Sequence, residues 1–272
     1  MMPTLFDNVA EPSDDGSNEF LLPWLRVYDQ GLLWLTYFWL SLRHRLSHGT
    51  ISHDEQSPVR FTGAILHFGV GVRRLILAGQ DYPARVLLRT MSEVTFTATV
   101  LFNDRDMRHE IQGADTFEDE YKFWRNHLSG RHMDRRLREI EERIGIEGWA
   151  TEEFSRFRKG LAGELSAVVH PTYGTAALAV YHESPTRKDY LHETPFGAIN
   201  ANSRYTLDRG AKVWLYFGYF GYRRALDSGG APYLPLDIER YDNRAMVVAH
   251  DVFEELVRRH WDDADRYGEP SA

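Results

Sequence analysis

Residues 84–102, ARVLLRTMSEVTFTATVLF, hold few polar letters, yet Arg85, Arg89 and Glu93 recur along them at every fourth position. Residues four apart on an α-helix share a face. At about 100° per residue, Leu87, Leu88, Met91, Val94, Ala98, Leu101 and Phe102 cover one broad arc, the core face of a buried helix. The three charges fall in a separate arc, and further along the helix that arc holds Phe96 and Val100. A solvated face stays polar along its length, whereas this one turns apolar, so the charges are expected to be partly covered. Covered charges are costly unless paired and hydrogen-bonded. The stripe therefore predicts one of two things: an ion-pair network tying this helix to a neighbour, or the lining of a site for an anion or phosphate. Arg89 and Glu93 stand in the less favourable i,i+4 order, with the base N-terminal to the acid, so local helix support explains them poorly.

Outward from this helix the pattern is helix after helix. An aromatic-rich segment runs from about residue 19 to 48, bent near Pro23 or Gly31, with Gly49 placed as its C-terminal cap. SPVRFTGAILHFGVGVRRLILAGQ follows, with Ser57 read as N-cap and Pro58 as the first helical residue. Gly63, Gly69 and Gly71 thin one side of it, as expected where a neighbouring helix approaches closely. Residues 104–147 are charged, and within them Met133, Leu137, Ile140 and Ile144 form one narrow apolar stripe, the mark of a peripheral helix packed on one side. A further helix stops at Pro171, because a proline disfavours helical geometry at the residue before it, and this places His170 at the helix end. AALAVYHE and KDYLHET flank SPTR and predict a small hairpin or an irregular excursion. Helices over about 204–224 and 241–262 complete the chain.

The fold class this predicts is all-α: an irregular bundle of about seven or eight helices with a small hairpin or irregular insertion after residue 171. Residues 18–262 are read as a single helical domain, with 1–17 and 263–272 as loose polar tails.

A net charge of −8 sets the overall field against a phosphate backbone, so general nucleic-acid binding is disfavoured and any RNA or nucleotide would need a local basic site. The chain has no cysteine, which excludes disulfides, Cys-ligated metals and a thiol nucleophile. The first residues carry neither a basic n-region nor an apolar h-region, and a cytoplasmic location is expected. The most apolar run, Gly31–Leu42, is 12 residues, too short to cross a bilayer. His44 and His48 have a metal-compatible spacing, but neither lies in an H-E-x-x-H or E-x-x-H pattern, and a polar helix end accounts for them. The Walker A, G-x-S-x-G and G-x-G-x-x-G patterns are absent. No metal and no cofactor are predicted.

His170 is the natural companion of the charged stripe. An imidazole exchanges protons near neutral pH, so His170 facing Arg85, Arg89 and Glu93 would serve as general acid or base, with Ser166 and Tyr173 close in sequence. The alternative is electrostatic: a helix C-terminus favours histidine without any catalytic role.

The pair RVLLRTMSEVTFTATVLF and LSAVVHPTYG resembles a widespread bacterial family of all-helical proteins of unknown function, in which an Arg-x-x-x-Glu helix precedes a helix ending Ser-x-x-x-His-Pro. That family looks distantly like HEPN domains, nucleotide-binding helical modules that include metal-independent ribonucleases of toxin and anti-phage systems. By resemblance Arg89, Glu93, Ser166 and His170 match the family's motif; with Arg85 of the same stripe and Tyr173 beside His170 the expected site has His170 and Glu93 as catalytic residues, and Arg85, Arg89, Ser166 and Tyr173 as substrate-binding residues for RNA or a nucleotide. The resemblance also implies a homodimer that pairs its sites across an interface. One departure from the typical ribonuclease motif is plain: no arginine stands four to six residues before His170. Two function classes follow, an RNA- or nucleotide-directed effector enzyme and a non-catalytic helical module that senses a ligand or binds a partner, the stripe then being structural.

Overall fold

The computed structural model describes residues 17–49, 51–170, 181–183, 191–193, 203–226 and 241–260. Nine helices are present among them. They are α1 (Ser17–Ser47), α2 (Gln56–Leu77), α3 (Asp81–Asn103), α4 (Arg105–Gln112), α5 (Phe117–Phe123), α6 (Gly130–Ile144), α7 (Gly148–Val169), α8 (Ser203–Phe217) and α9 (Tyr241–Arg259). The chain is an all-α irregular bundle, as its periodicity implies. The count exceeds the expected seven or eight because residues 104–147 fold as three helices. Asp104 and Thr116 each accept a hydrogen bond from a backbone N–H three residues on, so each starts a new helix.

The insertion after residue 171 contains a short antiparallel pair, β1 (Tyr181–Glu183) and β2 (Leu191–Glu193), with His182 opposite His192. Both strands lie within the segments flanking SPTR. Tyr173 and residues 1–16, 227–240 and 261–272 lie outside the described residues.

α1 runs unbroken through Pro23 and Gly31 and ends at Gly49, whose φ of 66° supplies the left-handed cap. Among the described residues no helix is long and apolar enough to cross a membrane. The start of α2 differs from expectation. A 3-10 turn, His53–Glu55, precedes it; Ser52 and Glu55 form the capping box, and the helix begins at Gln56. Ser57 is therefore inside the first turn, buried, with a hydroxyl that has no hydrogen-bond partner among the described residues. The reciprocal Ser52/Glu55 bonds satisfy more orphan donors than Ser57 would alone.

α1, α2, α3, α8 and α9 enclose an aromatic core of Trp34, Phe38, Phe102, Trp214, Phe217 and Phe253, each 2 % exposed or less. Trp214 shows why α1 and α2 carry glycines. A Cβ at Gly69 would stand 2.6 Å from its Cζ2, and a Cβ at Gly31 would stand 2.6 Å from its Cε3. Only glycine admits the indole between the two helices.

α8 continues past Phe217 as a π-helical turn, Gly218–Tyr222, and a last α turn, Arg223–Leu226. His250 of α9 lies against this turn, its ring centroid 4.6 Å from that of Tyr222 and 4.9 Å from that of Trp34. Burial pushes the His250 pKa down, and this outweighs the hydrogen bond and charges of Asp251 and Glu254; the charge of Arg223 adds to the lowering. The unfolded chain therefore binds the proton first as pH falls, and stability is lost below about pH 6.5, by at most about 1.4 kcal/mol per pH unit for one proton. Chemical denaturation of the wild type and of His250→Gln between pH 7 and 5 is expected to show a steeper loss in the wild type; parallel curves would remove His250 from the acid response.

Candidate functional site

The charged stripe of α3 divides into two parts. At its N-terminal end, Arg85 Nε lies 2.8 Å from Asp81 Oδ2 and donates to Thr206 Oγ1 of α8 at 3.3 Å. The Thr206 hydroxyl in turn donates to Asp81 Oδ1 at 2.7 Å. Asp81 and Thr206 are both buried, so this triad ties α3 to α8. One turn on, Arg89 Nε donates to Glu93 Oε1 at 3.2 Å, and the two side chains are 33 % and 60 % exposed. Glu93 is thus more open than the helical wheel implied. Beyond it Phe96 and Val100 are buried, as the turn to apolar residues required.

Arg89 and Glu93 stand at the edge of a cleft of about 440 Å³ between α3, α6 and α7. A second wall is the π-helical turn Trp124–Leu128 that continues α5. Such turns often mark functional sites, because they push side chains out of helical register. Phe96, Leu128, Met133, Leu137, Leu161 and Leu165 line the interior, and Lys159 and Ser166 join Arg89 and Glu93 among the polar lining. The volume is within the usual small-ligand range of about 300–1,000 Å³. A further cavity of about 540 Å³, which includes His53 and Arg60, adjoins it and shares Glu93, Thr97, Trp124 and Leu128 as walls.

Beside the cleft lies a buried polar network that joins α6, α7 and α8. Arg158 of α7 donates from Nη2 to Asp134 Oδ1 at 2.9 Å, and from Nη1 to Glu141 Oε1 and to the Tyr216 hydroxyl, the latter at 3.2 Å. The Tyr216 hydroxyl donates to the same Glu141 oxygen at 2.6 Å. Ser155 donates to Asp134 at 3.2 Å and accepts from Arg138 Nη2 at 2.7 Å. Glu141 is 0 % exposed and Arg158 is 6 % exposed. Burial raises the Glu141 pKa, and the charge and hydrogen bonds of Arg158 and the bond from Tyr216 only partly oppose it. Burial also works to raise the Asp134 carboxyl, but the hydrogen bonds and charges of Arg158, Lys159 and Ser155 prevail and hold it below its ordinary value. Tyr216 is raised well above the usual phenol, by burial first.

The structure brings Arg89, Glu93 and Ser166 to one cleft and places Arg85 in the separate α3/α8 contact. His170 is exposed on the extended residue that ends α7, and the cleft lining does not include it. Its backbone, φ −86° and ψ 129°, is the conformation Pro171 imposes. Asp134, Glu141 and Arg158 escaped the sequence reading. A signal was present: Asp134, Arg138 and Glu141 sit at i, i+4 and i+7, one face beside the apolar stripe of α6. Among the described residues no group of three or more His, Asp or Glu side chains is arranged to hold a metal ion. Comparison of the chain with models of known protein families, with curated proteins and with solved structures finds no match in any of the three.

Proposed function

We propose that this chain is a non-catalytic helical module that binds a small ligand in the cleft between α3, α6 and α7. One observation carries this reading: the buried charges at the cleft are committed to each other, and the remaining wall is largely apolar. Asp134 and Arg158 hold α6 against α7, whereas a catalytic acid or base must be able to exchange a proton with its substrate. An apolar interior with a few polar groups is the usual form of a small-molecule site.

N-phenyl-1-naphthylamine, an uncharged ring compound that fluoresces in apolar surroundings, tests the site. Saturable binding to one site is expected. Ala162 is exposed and lines the cleft, so Ala162→Trp fills the space without disturbing the core and is expected to weaken binding at least about tenfold. Undiminished binding to that variant sinks the reading. Cleavage of an RNA by the purified chain, abolished by His170→Ala, would overturn its non-catalytic part.

A further inference from the structure

Resting on the cleft reading above, we infer that the ligand is an amphiphilic aromatic acid: a ring-bearing apolar body with one anionic head, whether carboxylate, sulfonate or phosphate ester.

The acceptors nearest the buried network are taken. Asp134 Oδ1 receives Arg158 Nε at 3.2 Å and Nη2 at 2.9 Å, and the Ser155 hydroxyl reaches both oxygens at 3.2 Å. Asp134 Oδ2 also has Arg138 Nε at 3.3 Å and Lys159 Nζ at 3.4 Å. The hydroxyls of Ser92 and Thr97 donate to the carbonyls of Arg89 and Glu93, at 2.8 and 2.9 Å, within their own helix.

The donors are in surplus. Arg89 uses only Nε, on Glu93, so its two terminal nitrogens make no hydrogen bond among the described residues. Lys159 is 64 % exposed, and its ion pair among the described residues is with Asp134 at 3.4 Å. Ser166 adds a hydroxyl to the same wall. The buried network balances within itself, Arg138 and Arg158 against Asp134 and Glu141, which leaves Arg89 and Lys159 against Glu93 at the cleft, an excess of one positive charge. A head group that brings acceptors and a negative charge complements this; a cation would meet only Glu93, which Arg89 already holds.

The body of the ligand follows from the other walls. Phe96 and Trp124 present rings, and Met133 presents a polarisable thioether that packs well against aromatic edges. Trp124 is 47 % exposed in the structure, stacked on Tyr121 with ring centroids 6.1 Å apart, so one side of this aromatic pair is available at the cleft mouth.

Two probes on one skeleton separate the ring from the charge. N-phenyl-1-naphthylamine has the ring system alone, and 8-anilinonaphthalene-1-sulfonate adds a single sulfonate. At low salt the sulfonate is expected to bind about tenfold tighter than the neutral probe, and the advantage shrinks in about 0.5 M NaCl. Arg89→Met/Lys159→Met keeps the apolar stems and is expected to abolish the difference while the neutral probe still binds saturably at one site, which also reports that the cleft is intact. Equal affinities in the wild type, or a sulfonate preference that survives the double variant or Ala162→Trp, overturn the inference. Failure of the neutral probe to bind removes the cleft reading itself; a neutral probe that binds as well as the sulfonate removes only the ligand class.

Discussion

Arg158→Met is expected to cost the fold about 3–5 kcal/mol, because it removes one partner of a buried charge network and leaves the other uncompensated. Among the described residues Glu141 would keep only the Tyr216 hydroxyl on Oε1, and its Oε2 has no hydrogen-bond partner among them even in the wild type. Burial already raises the Glu141 pKa against the pull of Arg158, and without that pull the rise is larger. A carboxyl raised above its unfolded value keeps its full contribution below the unfolded pKa and loses it as pH rises through the folded one. The deficit of Arg158→Met is therefore widest at neutral pH and narrows as pH falls toward about 5. Arg158→Met/Glu141→Gln is expected to recover more than half of the loss, since a neutral amide costs far less to bury and still meets Tyr216. Urea unfolding followed by circular dichroism at both pH values reads all three effects. A loss under about 1 kcal/mol, or no recovery in the double variant, would mean that the network does not hold α6 to α7.

Periodicity carried most of the architecture. Helix ends marked by Gly49 and Pro171 fall where the sequence puts them, since a positive φ and a pre-proline residue are local constraints that tertiary packing rarely overrides. The start of α2 was misplaced because Ser52 and Ser57 both satisfy the local rule, and the choice between them depends on which serine finds a reciprocal acid. The charged stripe was legible as covered charge but not as two separate devices. Arg85 is claimed by Asp81 within its own helix and by Thr206, which is 121 residues away in sequence. Asp134 and Glu141 were hidden for the opposite reason: on a helix crowded with charge, their one local mark is the i, i+7 spacing beside the apolar stripe, and that spacing does not name their partners. Their partner Arg158 comes from α7 and Tyr216 from α8, so only the fold assembles the set.

The two halves of the stripe explain each other. Tying Arg85 to Asp81 and Thr206 fixes α3 against α8, and the Arg158 network fixes α6 and α7 against the same helix through Tyr216. Asp134 and Arg158 of that network line the cleft from α6 and α7, and Arg89 and Glu93, further along α3 than Arg85, line it from the opposite side and keep contact with solvent.

Trp214→Ala is expected to be as damaging as the loss of Arg158, for a different reason. The indole is 0 % exposed, tilted against Tyr28 with ring centroids 4.4 Å apart, and filling the gap that Gly31 and Gly69 leave between α1 and α2. Emptying that gap removes both the transfer free energy and the packing of three helices, about 3–5 kcal/mol for a large aromatic cut to alanine. Trp214→Phe separates the ring from its polar atom. Nε1 of Trp214 has no hydrogen-bond partner among the described residues, so the smaller ring forfeits no hydrogen bond and is expected to cost only about 1–2 kcal/mol. Gly69→Ala then reads the same contact from the other side. In the wild type its Cβ would stand 2.6 Å from the indole and force it aside, a penalty of about 1–3 kcal/mol that should fall when position 214 is phenylalanine. Thermal and urea unfolding of the two single variants and their double gives the coupling. Additive losses, with no relief in the double variant, would mean that the glycine does not make room for the indole, and that the closeness of α1, α2 and α8 has another cause.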